Sequence, residues 1–193
     1  MKRSLLAIAA AGAALAAPVK AGAQPATYRL DPSHSFVHFE VMHFGTATLR
    51  GRFGPLEGVA GLDPGARRGE VSLTVPTRIV STGLPVLDSR LRQADLLASS
   101  EHPDAYFVAR HFVFEGEVLR EVRGEITLRG ISRPLTLRAL SFSCGVHPLL
   151  KRDWCGGDFE AELRRSDFGM SFGLPLVADR VRLQVQVEAI RDQ

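Results

Sequence analysis

The chain has 193 residues, of which 45% are hydrophobic, and it carries 24 Lys and Arg against 21 Asp and Glu. This length fits one domain with a substantial core. The small charge excess gives no strongly basic stripe, which argues against nucleic acid as a partner because binding it requires many phosphate-neutralising cations.

The N-terminus has the three-part pattern of a secretory signal peptide. Lys2 and Arg3 precede an uncharged apolar run at 5–17, which is too short to cross a bilayer, and small residues follow at the cleavage positions. We predict a signal peptide at 1–23, export to the periplasm, and one domain at 24–193. Cleavage removes three of the 24 basic residues and no acid, so the mature part has 21 of each sign.

From residue 27 onward, apolar and polar residues alternate with a period of two, which is typical of strands with one buried face. The clearest case is Val181, Leu183, Val185 and Val187, whose neighbours along the chain are polar. We predict about eight strand segments: 27–43, 47–54, 56–62, 69–77, 105–115, 117–129, 134–144 with 158–166, and 180–190.

One helical insertion is predicted between the fourth and fifth strands. Its leucines, within 84–99, have the spacing of a helix, and Pro103 ends any continuation. Many strands with one helix indicate a closed antiparallel barrel or a sandwich. A membrane-spanning barrel also alternates, but one Trp and two Tyr are too few for its two aromatic girdles.

Five blocks of sequence, in this order along the chain, resemble the YceI-like family. They are YRLDPSHS at 28–35 with Phe39, Val41 and His43; LRGRF at 49–53 with Glu57 and Gly58; RLRQADLL at 90–97 with His102 and Pro103; GEITLRGISRPL at 124–135; and RSDFGM at 165–170. The resemblance covers essentially the whole mature chain. It implies an all-β, lipocalin-like closed antiparallel barrel of about eight strands. It also implies an exported protein that binds a polyisoprenoid or a related amphiphilic lipid in an internal pore.

The chain departs from the family pattern at two places. Arg90 stands where many relatives have a histidine, so the resemblance does not carry over a rim contact at this position. The segment 144–155 with its two cysteines resembles only one bacterial branch of the family. Cys144 and Cys155 predict a disulfide in an oxidising compartment, and a metal site built on both cysteines and His147 is the alternative.

The inward phase of the alternation, combined with the resemblance, predicts the residues that line the pore. They are Val37, Phe39, Val41, His43, Phe53, Val71, Leu73, Leu91, Phe107, Ile126, Leu128, Leu137, Phe159, Phe168, Phe172 and Val185. Bulky and small residues are mixed on the inward face, so a channel and a solid interlocked core both remain open. Each methylene moved from water into such a channel gains about 0.8 kcal/mol, so a long chain needs few polar contacts.

The histidines do not form a recognisable catalytic or metal site. His34 follows an Asp-Pro-Ser turn and is expected to hydrogen-bond locally. His38 and Glu40 share one strand face, which is too little for a metal site, and His43 is a candidate contact for a lipid head group. No nucleophile motif or phosphate-binding glycine loop is present.

The sequence therefore predicts a non-enzymatic exported carrier or store. Its ligand is a polyisoprenoid, an isoprenoid quinone or a fatty-acid derivative, and no cofactor other than this lipid is expected. A solid structural or interaction protein and a metal-dependent enzyme are the alternatives. The sequence also leaves open a homodimer and a transient contact with a membrane protein, and it predicts no membrane span after signal removal.

Overall fold

The computed structural model describes residues 25–63 and 65–192, which form one antiparallel sheet closed into a barrel. The predicted signal peptide lies outside the described residues. The strands are β1 (Ala26–Leu30), β2 (Phe36–His43), β3 (Ala47–Phe53), β4 (Glu57–Asp63), β5 (Arg68–Pro76), β6 (Asp104–Glu115), β7 (Val118–Leu128), β8 (Ile131–Val146), β9 (Asp153–Arg164) and β10 (Val177–Arg191). The helix α1 (Pro85–Leu91) and two 3₁₀ turns, Thr77–Ile79 and Arg165–Phe168, complete the described elements.

The ten strands occupy eight positions around the barrel. β10 pairs with β1 through its C-terminal half and with β2 through its N-terminal half, so β1 and β2 lie end to end. On the other side, β1 pairs with β4 and β2 pairs with β3, so β3 and β4 also lie end to end and share one position. The predicted closed antiparallel barrel of about eight strands is confirmed.

The predicted strand 27–43 is in fact two strands, because a turn at 31–35 interrupts it. The Asp31 carboxylate accepts hydrogen bonds from the Ser33 backbone N–H at 2.9 Å and from the His34 ring Nδ1 at 2.7 Å. Such side-chain bonding competes with the strand ladder. The predicted local hydrogen-bonding role of His34 is confirmed.

The Asp31–His34 pair predicts a measurable titration. Its hydrogen bond raises the pKa of His34 and lowers the pKa of Asp31. The stabilisation through His34 is therefore complete below the pKa of an unfolded histidine and is lost as the pH rises through the raised pKa. Stabilisation through Asp31 is lost instead as the pH falls through its lowered pKa. An NMR titration should give His34 a pKa above that of an ordinary histidine, and the Asp31→Asn substitution should return this pKa to the ordinary value. Equal His34 titration in both proteins would contradict the assignment.

The segments 134–144 and 158–166, predicted as one unit, form two long neighbouring strands. β8 and β9 pair as a hairpin from Arg138 opposite Glu160 to Val146 opposite Asp153. Cys144 lies opposite Cys155 in this register, and the two are joined by the predicted disulfide, so the alternative of a metal site at the two cysteines is excluded.

Replacing both cysteines by serine should lower the free energy of unfolding by about 3 kcal/mol, because the bond closes a short loop in the unfolded chain. Urea denaturation of both proteins, each with and without reductant, checks this value. The reductant should destabilise only the protein that contains the cysteines. An unchanged midpoint in the serine variant would show that the hairpin end frays independently of the barrel.

The helix is shorter than the predicted 84–99. α1 ends at Leu91, and the chain then turns back, with the Leu97 N–H bonded to the Leu91 carbonyl at 2.9 Å. Ala98 adopts a positive φ of 49°, which is incompatible with a continuous helix. The turn buries Leu97 at the end of the barrel, which an extended helix would not do. No described helix has the length and apolar character needed to cross a membrane.

The inward face of the barrel is apolar and its outward face carries ion pairs. Glu160 on β9 accepts hydrogen bonds from Arg138 on β8 and from Arg182 on β10, which holds the pKa of Glu160 below its ordinary value. Outward pairs of this kind contribute little to stability in water. The stability of the fold therefore rests mainly on its apolar interior.

Candidate functional site

Two apolar cavities occupy the barrel interior. The upper chamber, beside α1, has a volume of about 80 Å³, and the lower chamber, towards the disulfide, has a volume of about 70 Å³. The upper chamber is lined by Val37, Phe53, Leu73, Val75, Thr77, Leu97, Ala105, Phe107, Ile126, Leu128, Leu135, Leu137, Leu163, Leu183 and Val185. The lower chamber is lined by Leu30, Ala60, Leu62, Val71, Leu73, Phe107, Phe112, Leu119, Val122, Leu137, Phe142, Cys155, Gly156, Phe159, Val185, Val187 and Ala189.

The two chambers follow one another along the barrel axis and share a waist. On β10, Leu183 lines the upper chamber, Val185 lines both, and Val187 lines the lower chamber. Strands β5, β6 and β8 repeat this order. The side chains that line both chambers, here called the waist, are Leu73, Phe107, Leu137 and Val185. The two chambers therefore adjoin at these four side chains.

The chamber walls offer almost no polar group to a ligand. Thr77, which is 1% exposed, is the polar residue of the upper chamber, and its hydroxyl donates to the His102 carbonyl at 2.8 Å. Because that hydroxyl already has a hydrogen-bond partner in the protein, it does not require a polar group on a ligand. The interior therefore suits a hydrocarbon chain.

Each chamber continues towards the surface. A side opening of about 260 Å³ shares Ile126, Leu135 and Leu163 with the upper chamber. A lower mouth of about 370 Å³ shares Leu62, Phe112 and Phe142 with the lower chamber. The remaining residues of the side opening are Arg133, Pro134, Glu162, Arg164, Asp167, Phe168 and Arg180. The remaining residues of the lower mouth are Gly65, Arg67, Arg68, Phe114, Glu117, Ser143 and Cys144.

Most of the predicted pore-lining residues border these spaces. Those in a chamber wall are Val37, Phe53, Val71, Leu73, Phe107, Ile126, Leu128, Leu137, Phe159 and Val185, and Phe168 lines the side opening. Whether these residues contact a ligand stays a prediction. Leu135, Leu163 and Leu183 line the upper chamber but were not among the predicted lining residues, although each lies on the inward phase of its strand.

Five predicted lining residues occupy other positions. Phe39 is buried, but its ring packs on Phe53 with centroids 5.2 Å apart and covers Gly51, where an added Cβ would meet it at 2.4 Å. Half-buried Val41 lies further along β2.

The other three are at the α1 end of the barrel. His43 stacks on Phe44 with centroids 3.8 Å apart, and Leu91 packs against the core from the end of α1. Phe172 is 54% exposed on a loop, where the inward phase of a strand no longer applies.

Arg165 organises that loop. Its guanidinium, on a side chain that is almost fully buried, donates to the carbonyls of Met170, Phe172, Val177 and Ala178, each at 2.8 Å. Burial lowers the pKa of Arg165 because the charged form is desolvated. The loop is thus folded around one cation, which explains the first residue of the RSDFGM block.

Arg90 attaches the same loop to α1. It forms a double hydrogen bond with Asp95, both contacts at 2.6 Å, and its guanidinium lies 4.1 Å from the Phe172 ring centroid. Asp95 raises the pKa of Arg90, which therefore stays charged. Arg90 thus holds the Phe172 loop against the end of α1.

Within the described residues, no group of three or more His, Cys, Asp or Glu side chains could hold a metal ion. Glu40, the candidate partner of His38, instead pairs with Arg50 at 2.8 Å across β2 and β3. The Glu40 carboxylate is therefore engaged by an arginine rather than placed with His38 as a ligand pair.

An eight-position antiparallel barrel around apolar chambers defines the lipocalin-like class of β-barrels. Within that class the chain belongs to the YceI-like family, because the family model of the YceI-like domain matches residues 28–189. It is 31% identical over 202 residues to Protein YceI from Escherichia coli O157:H7, with 100% of both chains covered.

Two solved structures have the same fold at lower identity. BcnA from Burkholderia cenocepacia matches with a TM-score of 0.71 and 18% identity, over 82% of this chain and 98% of that chain. A polyisoprenoid binding domain from Saccharophagus degradans, implicated in plant cell wall breakdown, matches with a TM-score of 0.59 and 17% identity, over 86% and 98%. These likenesses support the barrel architecture.

Proposed function

We propose that the protein is a non-catalytic, exported binding protein that holds one long apolar chain along the barrel axis. The observation that carries the proposal is the pair of aligned chambers, whose walls are almost wholly hydrocarbon and which meet at the four-residue waist. Family membership and the polyisoprenoid binding domain of Saccharophagus degradans support a lipid as the ligand. The proposed ligand is a polyisoprenoid, an isoprenoid quinone or a fatty-acid derivative, and the proposed compartment is the periplasm.

The size of the chambers determines how such a ligand would fit. A dry cavity of about 150 Å³ accommodates a molecule the size of benzene, and the two chambers together are of that order. A long chain therefore requires the waist side chains to turn aside. At the waist the Phe107 ring packs directly over Gly124, where an added Cβ would meet it at 2.8 Å.

The same small volume favours a second candidate, a barrel with a solid core that acts through its surface. The experiment that separates the two is mass spectrometry of an organic extract from mature protein purified from a native periplasm without detergent. One long apolar species near one per protein supports the carrier or store and identifies the lipid class. A clean extract from folded protein that also fails to bind added lipid supports the solid barrel.

A further inference from the structure

The barrel wall has a gap on one side. β8 and β9 pair only from Arg138 and Glu160 towards the disulfide. The facing segments 131–137 of β8 and 161–164 of β9 are fully described, and no pairing joins them, although each remains bonded to its other neighbour. Pro134 lies in this stretch and has no N–H, as is usual for proline at the edge of a sheet.

The gap leads from solvent into the upper chamber. The side opening lies in it, and the inner residues Ile126, Leu135 and Leu163 also belong to the chamber wall. Phe168, at 1% exposure, closes one flank from the 3₁₀ turn that follows β9. The opening is therefore apolar inside and charged outside, which is the arrangement expected for an amphiphile lying half in and half out.

Three arginines lie at the outer edge of the opening, and two of them form ion pairs. Arg164 pairs with Asp179 at 3.0 Å, and Arg180 pairs with Glu162 at 3.4 Å. Arg133 donates only to the Ser132 carbonyl, and no ion pair to it is formed within 25–63 and 65–192. An arginine offers donors and no acceptor, so its natural partner is an anionic oxygen.

We propose that the gap between β8 and β9 is the entrance for the ligand's chain, and that an acidic head group, a carboxylate or a phosphate, stays there on Arg133. The proposal rests on the proposed function, since it needs an apolar chain in the upper chamber. It adds the path of entry, the end at which the head group lies, and the charge of that group.

Entry is tested by obstructing one opening at a time. The described residues contain no free cysteine, so a single introduced cysteine can be coupled to a polyethylene-glycol maleimide after folding. Asp167→Cys places the polymer at the side opening, and Glu117→Cys places it at the lower mouth. The two variants are matched, because each loses one acidic residue. The readout is stopped-flow fluorescence of cis-parinaric acid, a fluorescent fatty acid.

Coupling at residue 167 should slow association of cis-parinaric acid by about tenfold or more, and coupling at residue 117 should change it little. The proposed entrance would be wrong if association were slowed only by the polymer at residue 117, equally by the polymer at either residue, or by neither. Failure of the uncoupled protein to bind the probe would contradict the proposed function itself, so the two failures are distinguishable.

The head-group site is tested by Arg133→Gln, with Arg110→Gln, at an exposed arginine on β6 that does not line the side opening, as the control. Arg133→Gln should weaken binding of cis-parinaric acid about tenfold and leave its methyl ester unaffected, because only the acid carries a charge. Equal effects on acid and ester, or none on either, would overturn the site. Displacement of the probe by palmitate or by farnesyl phosphate supports the site and identifies the acid, and displacement by neither overturns it.

Discussion

The Arg165→Met variant is expected to be less stable than the unchanged protein by about 4 kcal/mol, which is large for one substitution. Methionine fills similar space, but it cannot donate to the four carbonyls that Arg165 holds at 2.8 Å. Urea denaturation followed by circular dichroism measures the change. Arg165→Lys should recover only part of the loss, because one ammonium cannot reach four acceptors placed around a planar fork.

The neighbouring Arg164→Met variant is the control for this prediction. The Arg164 side chain is 71% exposed and makes one ion pair, with Asp179, so its loss should alter the denaturation midpoint little. If both variants unfolded at the same denaturant concentration, the loop after β9 would not depend on the buried cation.

The second large effect is expected for Val185→Phe. The added ring enters the waist and separates the upper chamber from the lower one. If about four methylenes of the ligand can no longer enter the second chamber, the binding free energy falls by about 3 kcal/mol, which is more than a hundredfold in affinity. Titration with fatty acids of increasing length should show the loss for long chains only, because short chains fit within one chamber.

Gln184→Phe provides the matched control, because the same ring is added one residue away on the outward face of β10. It should bind long chains as the unchanged protein does. Thermal unfolding of both variants verifies that each is folded. Equal affinity of the two variants for the longest chain would show that the chain does not pass the waist.

The strands were predictable because their signal is local. Alternation at 180–190 depends only on which side of a pleated strand each residue faces, and the burial of β10 follows it from Arg180 to Gln186. The length of the helix was overestimated because Leu96 continues the helical spacing of Leu87 and Leu91. The reversal after Leu91 depends instead on backbone hydrogen bonds that leave no pattern in the side chains.

The chambers were only partly predictable for a physical reason. The inward phase identifies Leu73 and Phe39 alike, but whether an inward side chain borders a void depends on its neighbours across the barrel. Phe39 is covered by Phe53, whereas Leu73 borders both chambers. The role of Arg165 was missed because its partners are backbone carbonyls, which every residue possesses.

The position of β10 in the barrel has a consequence for the order of folding. This last strand bonds to β9, β1 and β2, so each of the first two strands has one partner at the far end of the chain. Contacts so distant in sequence form slowly, because a long loop must be closed before they stabilise anything. A chain that emerges N-terminus first therefore cannot close its barrel until residues 177–191 have emerged. Under the proposed export, the chain would therefore stay unfolded enough to pass through a translocation pore until its last strand has crossed.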